Sequence, residues 1–305
     1  MPHKELAFYI NPRGPERRDI MGLLADADIS RIGMDGVPWQ VGTEDDEIAL
    51  FLEDCAHFEL AVCSMHSGLP VLAQPDQAMP AELREAHERE MARFAELGGE
   101  TAVYHACAMR DVSMDDIDAT VLRVGWENFV SCYVEALEEL ARIAGAFGIT
   151  VVLENIWHSR FCSSVTPILE LVQTANRPNV GIILDSGHAH LAGFSVSDEI
   201  RKAGHWLRDT HFHDNVGDLS LPKADQHLPP GLGTIDWQAA CLALQEIEFD
   251  GPVVFEGVLG PGDSIPAGRF GGYLSHRELI HITVANWRAF EFLAQQRSPN
   301  RPRTG

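Results

Sequence analysis

Val180-Gly181-Ile182-Ile183-Leu184-Asp185-Ser186-Gly187-His188 is a short apolar run that stops at a carboxylate, a hydroxyl and an imidazole. A run of this length bounded by turn residues reads as a β-strand. Similar runs stand on both sides of it: Leu6 to Ile10, Ile29 to Met34, Glu59 to Met65, Thr101 to Tyr104, Thr150 to Leu153, Thr210 to Phe212 and Pro252 to Phe255. Together they make eight strand candidates.

Helical patterns separate these runs. Ala81 to Leu97 carries Glu and Arg on one face and apolar residues at helical spacing. Trp126 to Phe147 is longer and is stopped by Gly148. Val165 to Thr174 holds Pro167 in its first turn. Asp236 to Ile247 begins at a residue able to cap it, and Leu279 to Gln295 closes the pattern. Strands alternating with helices imply parallel β-structure, and eight such units favour a closed barrel over an open doubly wound sheet. A (β/α)8 barrel takes about 250 residues. The 305-residue chain is therefore expected to be α/β, a single (β/α)8 TIM barrel over residues 1–297 with a frayed tail at 298–305. The longest non-periodic regions are 36–47, 66–80, 213–235 and 257–275. The last is Gly-rich and is a candidate lid or subunit contact, which leaves a homo-oligomer open.

Hydrophobic residues make up 45% of the chain, enough for a sizeable core. Its 45 acidic and 23 basic residues give a formal net charge of −22. Proteins that grip phosphate backbones cluster Lys and Arg, so nucleic acid and anionic membranes are not expected as partners. The loops 67–83 and 189–200 contain no Lys or Arg, and 106–120 contains only Arg110. Six cysteines, none in a C-x-x-C pair, give no indication of a zinc ribbon and read as reduced. Met1-Pro2-His3-Lys4-Glu5 lacks the apolar core of a signal peptide. No run of about 20 apolar residues is present, so a cytoplasmic location is expected.

The strand ends carry the chemistry. Successive runs finish at His66, His105, Glu154, Asp185, His211 and Glu256, with His188 and His213 close behind two of them. In a barrel, the C-terminal strand ends converge on one mouth. Carboxylates and imidazoles gathered there repel or desolvate badly without a cation among them, and zinc or manganese accepts N and O ligands together. A lone strand-end His reads as readily as a packed or capping residue. The metal reading rests on the set. The loop Asp225-Gln226-His227, followed by Gly231 and Gly233, has two readings. It is an ordinary polar turn, or it reaches back to the mouth, with glycines that let backbone approach a ligand.

Five segments carry a family resemblance: Val151 to Asn155, Leu184 to Gly193, His211 to Asn215, Asp225 to Gly233 with Ile235-Asp236-Trp237, and Val253 to Glu256. Over about residues 5–295 the chain resembles the xylose isomerase-like TIM-barrel superfamily, which includes sugar and sugar-phosphate isomerases and epimerases and the type IV apurinic endonucleases. The resemblance implies a four-ligand metal site of Glu154, Asp185, His211 and Glu256, with Glu154 and Glu256 also serving as an acid/base pair. It implies that His188 touches substrate or a further metal. His66, His105, Asp225 and His227 match the extra ligands of the endonucleases' three-zinc cluster. Many epimerases carry Arg where this chain has His227, a departure from that pattern.

The leading expectation is a metal-dependent isomerase or epimerase of a sugar or sugar derivative, holding one to three ions of Mn2+, Zn2+, Co2+ or Mg2+. One glutamate would take an α-proton and the other return it. His188, Trp157 and His213 are candidate substrate contacts, and Phe8, Trp39 and Trp157 are candidate aromatic walls whose alternative is core packing. A multinuclear zinc hydrolase of a small phosphoester and a lyase or dehydratase remain as alternatives. Arg160 and Lys223 are phosphate-clamp candidates by position alone.

Overall fold

Strand and helix alternate along the chain in the computed structural model, which describes residues 3–36, 45–259 and 274–297. The strands are β1 (Leu6–Ile10), β2 (Arg31–Asp35), β3 (Ala61–His66), β4 (Thr101–His105), β5 (Thr150–Glu154), β6 (Val180–Asp185), β7 (Leu207–His211) and β8 (Val253–Phe255). The first helices are α1 (Arg17–Asp26), α2 (Asp45–His57), α3 (Ala81–Glu96), α4 (Ile117–Val124) and α5 (Trp126–Gly145). The later ones are α6 (Val165–Ala175), α7 (Ser186–Leu191), α8 (Val196–Ala203), α9 (Trp237–Glu246) and α10 (His276–Arg297).

The sheet has eight strands in the order β7-β6-β5-β4-β3-β2-β1-β8, paired in parallel. The ring is drawn together between β7 and β8. There the Phe212 N–H donates to the Val254 carbonyl at 2.8 Å and the Glu256 N–H to the Phe212 carbonyl at 3.3 Å. The Thr210 hydroxyl accepts the Val254 N–H at 3.0 Å, a side chain standing in for a ladder carbonyl. Behind this seam Trp287 packs edge to face on Trp237 and Phe255 and tilted on Phe212, its ring centroid 5.6–6.0 Å from theirs. Burial of this aromatic knot ties β7 and β8 to α9 and α10.

Alternation along each strand sorts the side chains. Leu6, Phe8 and Ile10 face outward into the main core under the helices. Ala7 packs inside with Cys63, Val254 and Tyr9, and Val103, Val152 and Ile183 form a second interior group. The core is thus a thick outer shell between sheet and helices, around a narrower barrel interior.

The expected strands and helices are present, with two kinds of difference. β7 begins at Leu207, three residues before the expected Thr210, because the charged Arg208-Asp209 hides a strand whose remaining members are buried. α1, α2, α4, α7 and α8 were not expected: each is short or charge-rich and lacks a long apolar stripe. The Asp236 cap is borne out, its carboxylate accepting the Ala239 N–H at 3.0 Å. All six cysteines are free thiols, and all but Cys132 are buried. Among the described residues, no helix is long and apolar enough to cross a membrane. Trp39, the tail 298–305 and residues 260–273 of the candidate lid lie outside the described residues.

Candidate metal centre

The C-terminal ends of β5, β6, β7 and β8 bring Glu154, Asp185, His211 and Glu256 together, each offering one ligand atom within 4.8 Å of the others. His66 and His105, from β3 and β4, form a second group with Glu154. Asp185, His188 and His213 form a third, and His213, Asp225 and His227 a fourth. The groups overlap through Glu154, Asp185 and His213, so every candidate ligand read from the sequence falls in one connected cluster.

Hydrogen bonds to carbonyls assign the imidazole tautomers. His66 Nδ1 donates to the Ser67 carbonyl at 3.0 Å. Its Nε2 then presents a lone pair to Glu154 Oε2 at 3.0 Å and His105 Nε2 at 3.1 Å. His188 Nδ1 donates to the Asn155 carbonyl at 2.9 Å, which leaves Nε2 facing Asp225 Oδ2 at 3.4 Å. His211 Nδ1 lies 2.9 Å from Glu154 Oε1 and 3.4 Å from Glu256 Oε1. Lone pairs face lone pairs in a buried setting, which is unfavourable unless a proton or a cation is shared among them. Such a mixed N/O, acid-rich donor set fits a divalent cation.

Protons on the imidazoles can supply the same compensation. Burial opposes charge on His211, yet Glu256 and Glu154 outweigh it and push its pKa up to about 10. His227 is pushed up to about 9 against burial by Asp225, which it meets through Nε2 at 2.9 Å. His188 rises well above its usual range, burial being overcome by Asp185 and Asp225. Burial pushes Glu154 and Asp185 upward, but His211 beside the first and His188 beside the second hold both below their usual range. His105 goes the other way, down to about 3, through burial and the neighbouring His66.

Buried polar contacts hold the candidate ligands in place. Asn155 and Asp185 exchange bonds across β5 and β6: Asn155 Nδ2 donates to the Asp185 carbonyl at 2.9 Å, and the Asp185 N–H to Asn155 Oδ1 at 2.8 Å. Asp185 also caps α7 by accepting the His188 N–H at 2.6 Å. A Cβ on Gly187 would come within 1.9 Å of the His213 ring, so that imidazole depends on the missing side chain. Gly257, at φ +66°, gives His227 the same room from a backbone conformation other residues rarely adopt. Asp214 pins the loop that carries Asp225 and His227, accepting from Gly231 N at 2.9 Å, Ile235 N at 3.2 Å and Trp237 Nε1 at 2.8 Å. Gly231 and Gly233 bring backbone close to Asp214, the first through its N–H and the second because a Cβ there would meet Asp214 Oδ1 at 2.2 Å.

A cavity of about 1030 Å³ opens over the cluster. Its lining includes His66, His105, Glu154, His188, Asp225, His227 and Glu256, with Trp157 on one wall. The xylose isomerase-like TIM barrel family profile matches residues 27–267.

The chain belongs to the xylose isomerase-like TIM barrel family. An inosose isomerase of Bacillus subtilis is 34% identical over 126 residues, 40% of this chain and 45% of that protein. An uncharacterized protein of Methanocaldococcus jannaschii is 33% identical over 139 residues, 43% of this chain and 46% of that protein. The chain thus spans about half the length of the curated relatives it matches. Among solved structures, an L-ribulose 3-epimerase superposes with a TM-score of 0.73 at 16% identity, covering 98% of this chain and 100% of that one, a likeness of fold.

Within this xylose isomerase-like barrel, the other candidate residues fall as follows. Trp157 lines the cavity and stacks on His158 at 3.7 Å. Phe8 does not line it; it is fully buried on the outer side of β1, 5.2 Å from Phe255, so core packing is its role. His213 is fully buried beneath the cavity, its Nε2 3.0 Å from Asp185 Oδ2 and its ring stacked on His227 at 3.9 Å. It backs the candidate ligands and does not line the cavity. Arg160 turns to Asp118 at 3.7 Å, and Lys223 is exposed. Sequence reasoning missed Tyr9, Asn11, Arg17 and Asp35 on the cavity wall. Tyr9 was one alternation step away from the Phe8 that was chosen.

Proposed function

We propose that this chain is a divalent-metal-dependent isomerase or epimerase of a neutral sugar or sugar derivative. The observation that carries the reading is the approach of Glu154 and Glu256, from separate strands β5 and β8, to the same His211 nitrogen at the floor of an open cavity. Its likeness to an inosose isomerase and to an L-ribulose 3-epimerase fold supports it.

A divalent cation held by Glu154, Asp185, His211 and Glu256 would polarise a substrate carbonyl and stabilise the enediolate left by proton loss. The protein's own groups supply the rest. Taking a proton from one face of a carbon and returning one to the opposite face, as an epimerisation does, needs two acid/base groups, and the paired glutamates can supply them. Glu256, 16% exposed against 1% for Glu154, is the one more open to an entering substrate. His188 and Trp157 stand where they can contact substrate hydroxyls and its apolar face. Among the described residues lining the cavity, Arg17 is the single Lys or Arg, and its guanidinium already bonds Asp54 and the Pro12 carbonyl. The described part of the wall thus has no Lys or Arg set apart to clamp a phosphate, which favours an uncharged substrate.

The test is solvent exchange. The Mn2+-loaded protein, incubated in D2O with a panel of ketoses and keto-polyols, is expected to place deuterium beside the carbonyl of at least one. No exchange with any of them contradicts the reading. A second reading, a multinuclear zinc hydrolase of a small phosphoester, is favoured by the groups around His66–His105 and Asp225–His227, which offer ligands beyond one ion. Two or three zinc ions per chain with phosphoesterase turnover would select it.

A further inference from the structure

His211 sits in the ligand group through Nδ1, so its neutral form carries the proton on Nε2. That Nε2 is buried and meets no hydrogen-bonding partner in the protein. Asp209 lies two residues back on β7 and faces the same way. Register confirms the layer: His211 pairs with Asp185, and Asp209 with the interior Ile183. The Asp209 carboxylate is 1% exposed among apolar barrel residues. One oxygen accepts the Thr210 N–H at 2.7 Å; the other, Oδ2, is bare. The Ser64 and Tyr9 hydroxyls are buried and bare as well. Ser64 lies beside Asp209 and favours its charged form, though burial dominates and pushes that carboxyl up to about 6. Cys63 and Tyr9, both raised chiefly by burial, also feel the Asp209 charge. One donor, two hydroxyls and one carboxylate oxygen thus share the layer directly beneath the metal ligands.

A buried carboxylate is costly without a partner, and an imidazole that ligates through one nitrogen needs an acceptor for the other. We propose that Asp209 is a positioning residue of the metal centre, its carboxylate accepting the Nε2–H of His211 and so fixing the tautomer that turns Nδ1 toward the cation. Contact is made by rotation of the carboxylate or through a single bridging water, for which the bare hydroxyls offer further partners. The bond holds the ring plane and makes Nδ1 a stronger donor. The assignment rests on the metal-site reading above.

The test compares chelator-stripped wild type with Asp209→Ala and Asp209→Asn by calorimetric titration with Mn2+ and by the visible spectrum of the Co2+ form. Asp209→Ala is expected to weaken Mn2+ binding by about 10- to 100-fold and to shift the Co2+ bands. Asp209→Asn keeps an oxygen acceptor without the charge and is expected to lose less. A variant with lower metal-free stability but unchanged Mn2+ affinity and Co2+ spectrum would make Asp209 a packing residue only and overturn the proposal. Wild type that binds no divalent metal would overturn the metal-site reading itself, a separate and recognisable result. Should neither Asp209 variant fold, Ser64→Ala decides: weaker Mn2+ binding supports the relay, and unchanged binding overturns it.

Discussion

Glu154→Gln keeps the shape of the side chain that links two ligand groups and removes its charge. Glu154 is 1% exposed, and His211 and His66 contact it at 2.9 and 3.0 Å. In the metal-free protein the change weakens two charge-assisted contacts worth about 1.5–3 kcal/mol each. It also relieves the desolvation of a buried carboxylate, so the net loss is expected to be about 1–3 kcal/mol. The larger effect is on the cation. With metal at about 100 times the wild-type dissociation constant, binding adds about 2.7 kcal/mol to wild-type stability. That is roughly 4 °C in Tm for a domain of this size. A loss of about 100-fold in affinity, in scale with a direct ligand when outer contacts alone are worth 10- to 100-fold, leaves about 0.4 kcal/mol, or less than about 1 °C. Thermal melts followed by circular dichroism, with chelator and with Mn2+, read both effects. A variant whose Tm rises with Mn2+ as much as wild type would refute the reasoning, because Glu154 would then lie outside the coordination sphere.

Three further outcomes are expected. Glu256→Gln should reduce turnover at least 100-fold, in line with the usual worth of a general acid or base, while far-UV circular dichroism stays that of wild type; retained turnover would remove Glu256 from the chemistry. His227→Ala should lower the metal content measured by mass spectrometry if more than one ion is bound, and unchanged stoichiometry and rate would leave His227 as a loop residue. The metal-free protein should lose stability as pH rises from about 6.5, the unfolded His value, through 9 and 10, the raised values of His227 and His211. The sign follows because a raised folded pKa stabilises only while the group is protonated. Metal displaces those protons, so the loaded protein should decline less, and binding at pH 8 should release protons seen as a buffer-dependent calorimetric enthalpy.

The barrel was legible because each strand is an apolar run and chemistry-bearing residues stand at the run's end, as in Val180 to Asp185. The ligand cluster was legible for the same reason: convergence at one mouth follows from the topology alone. What sequence left unread depends on direction and on partners. Phe8 and Tyr9 are adjacent and both aromatic, but only the strand's alternation decides that Tyr9 enters the cavity. Arg208 and Asp209 disguised the start of β7, since an inward carboxylate breaks the apolar run from which a strand is recognised. His213 looks like a site residue, yet the room left by Gly187 takes its ring beneath the cavity. Gly231 and Gly233 had two readings in sequence, and only the fold shows that one donates its N–H to Asp214 while the other lies against that carboxylate.

The central claim is that Glu154, Asp185, His211 and Glu256 share one cation. Crystals soaked in Mn2+ and measured at a wavelength where manganese scatters anomalously give the most direct answer. The expected result is an anomalous peak bonded to all four side chains, at about 2.0–2.3 Å from each nitrogen or oxygen, the range for such first-row ligands. An empty map at that point, with the four side chains turned away from one another, would contradict the account.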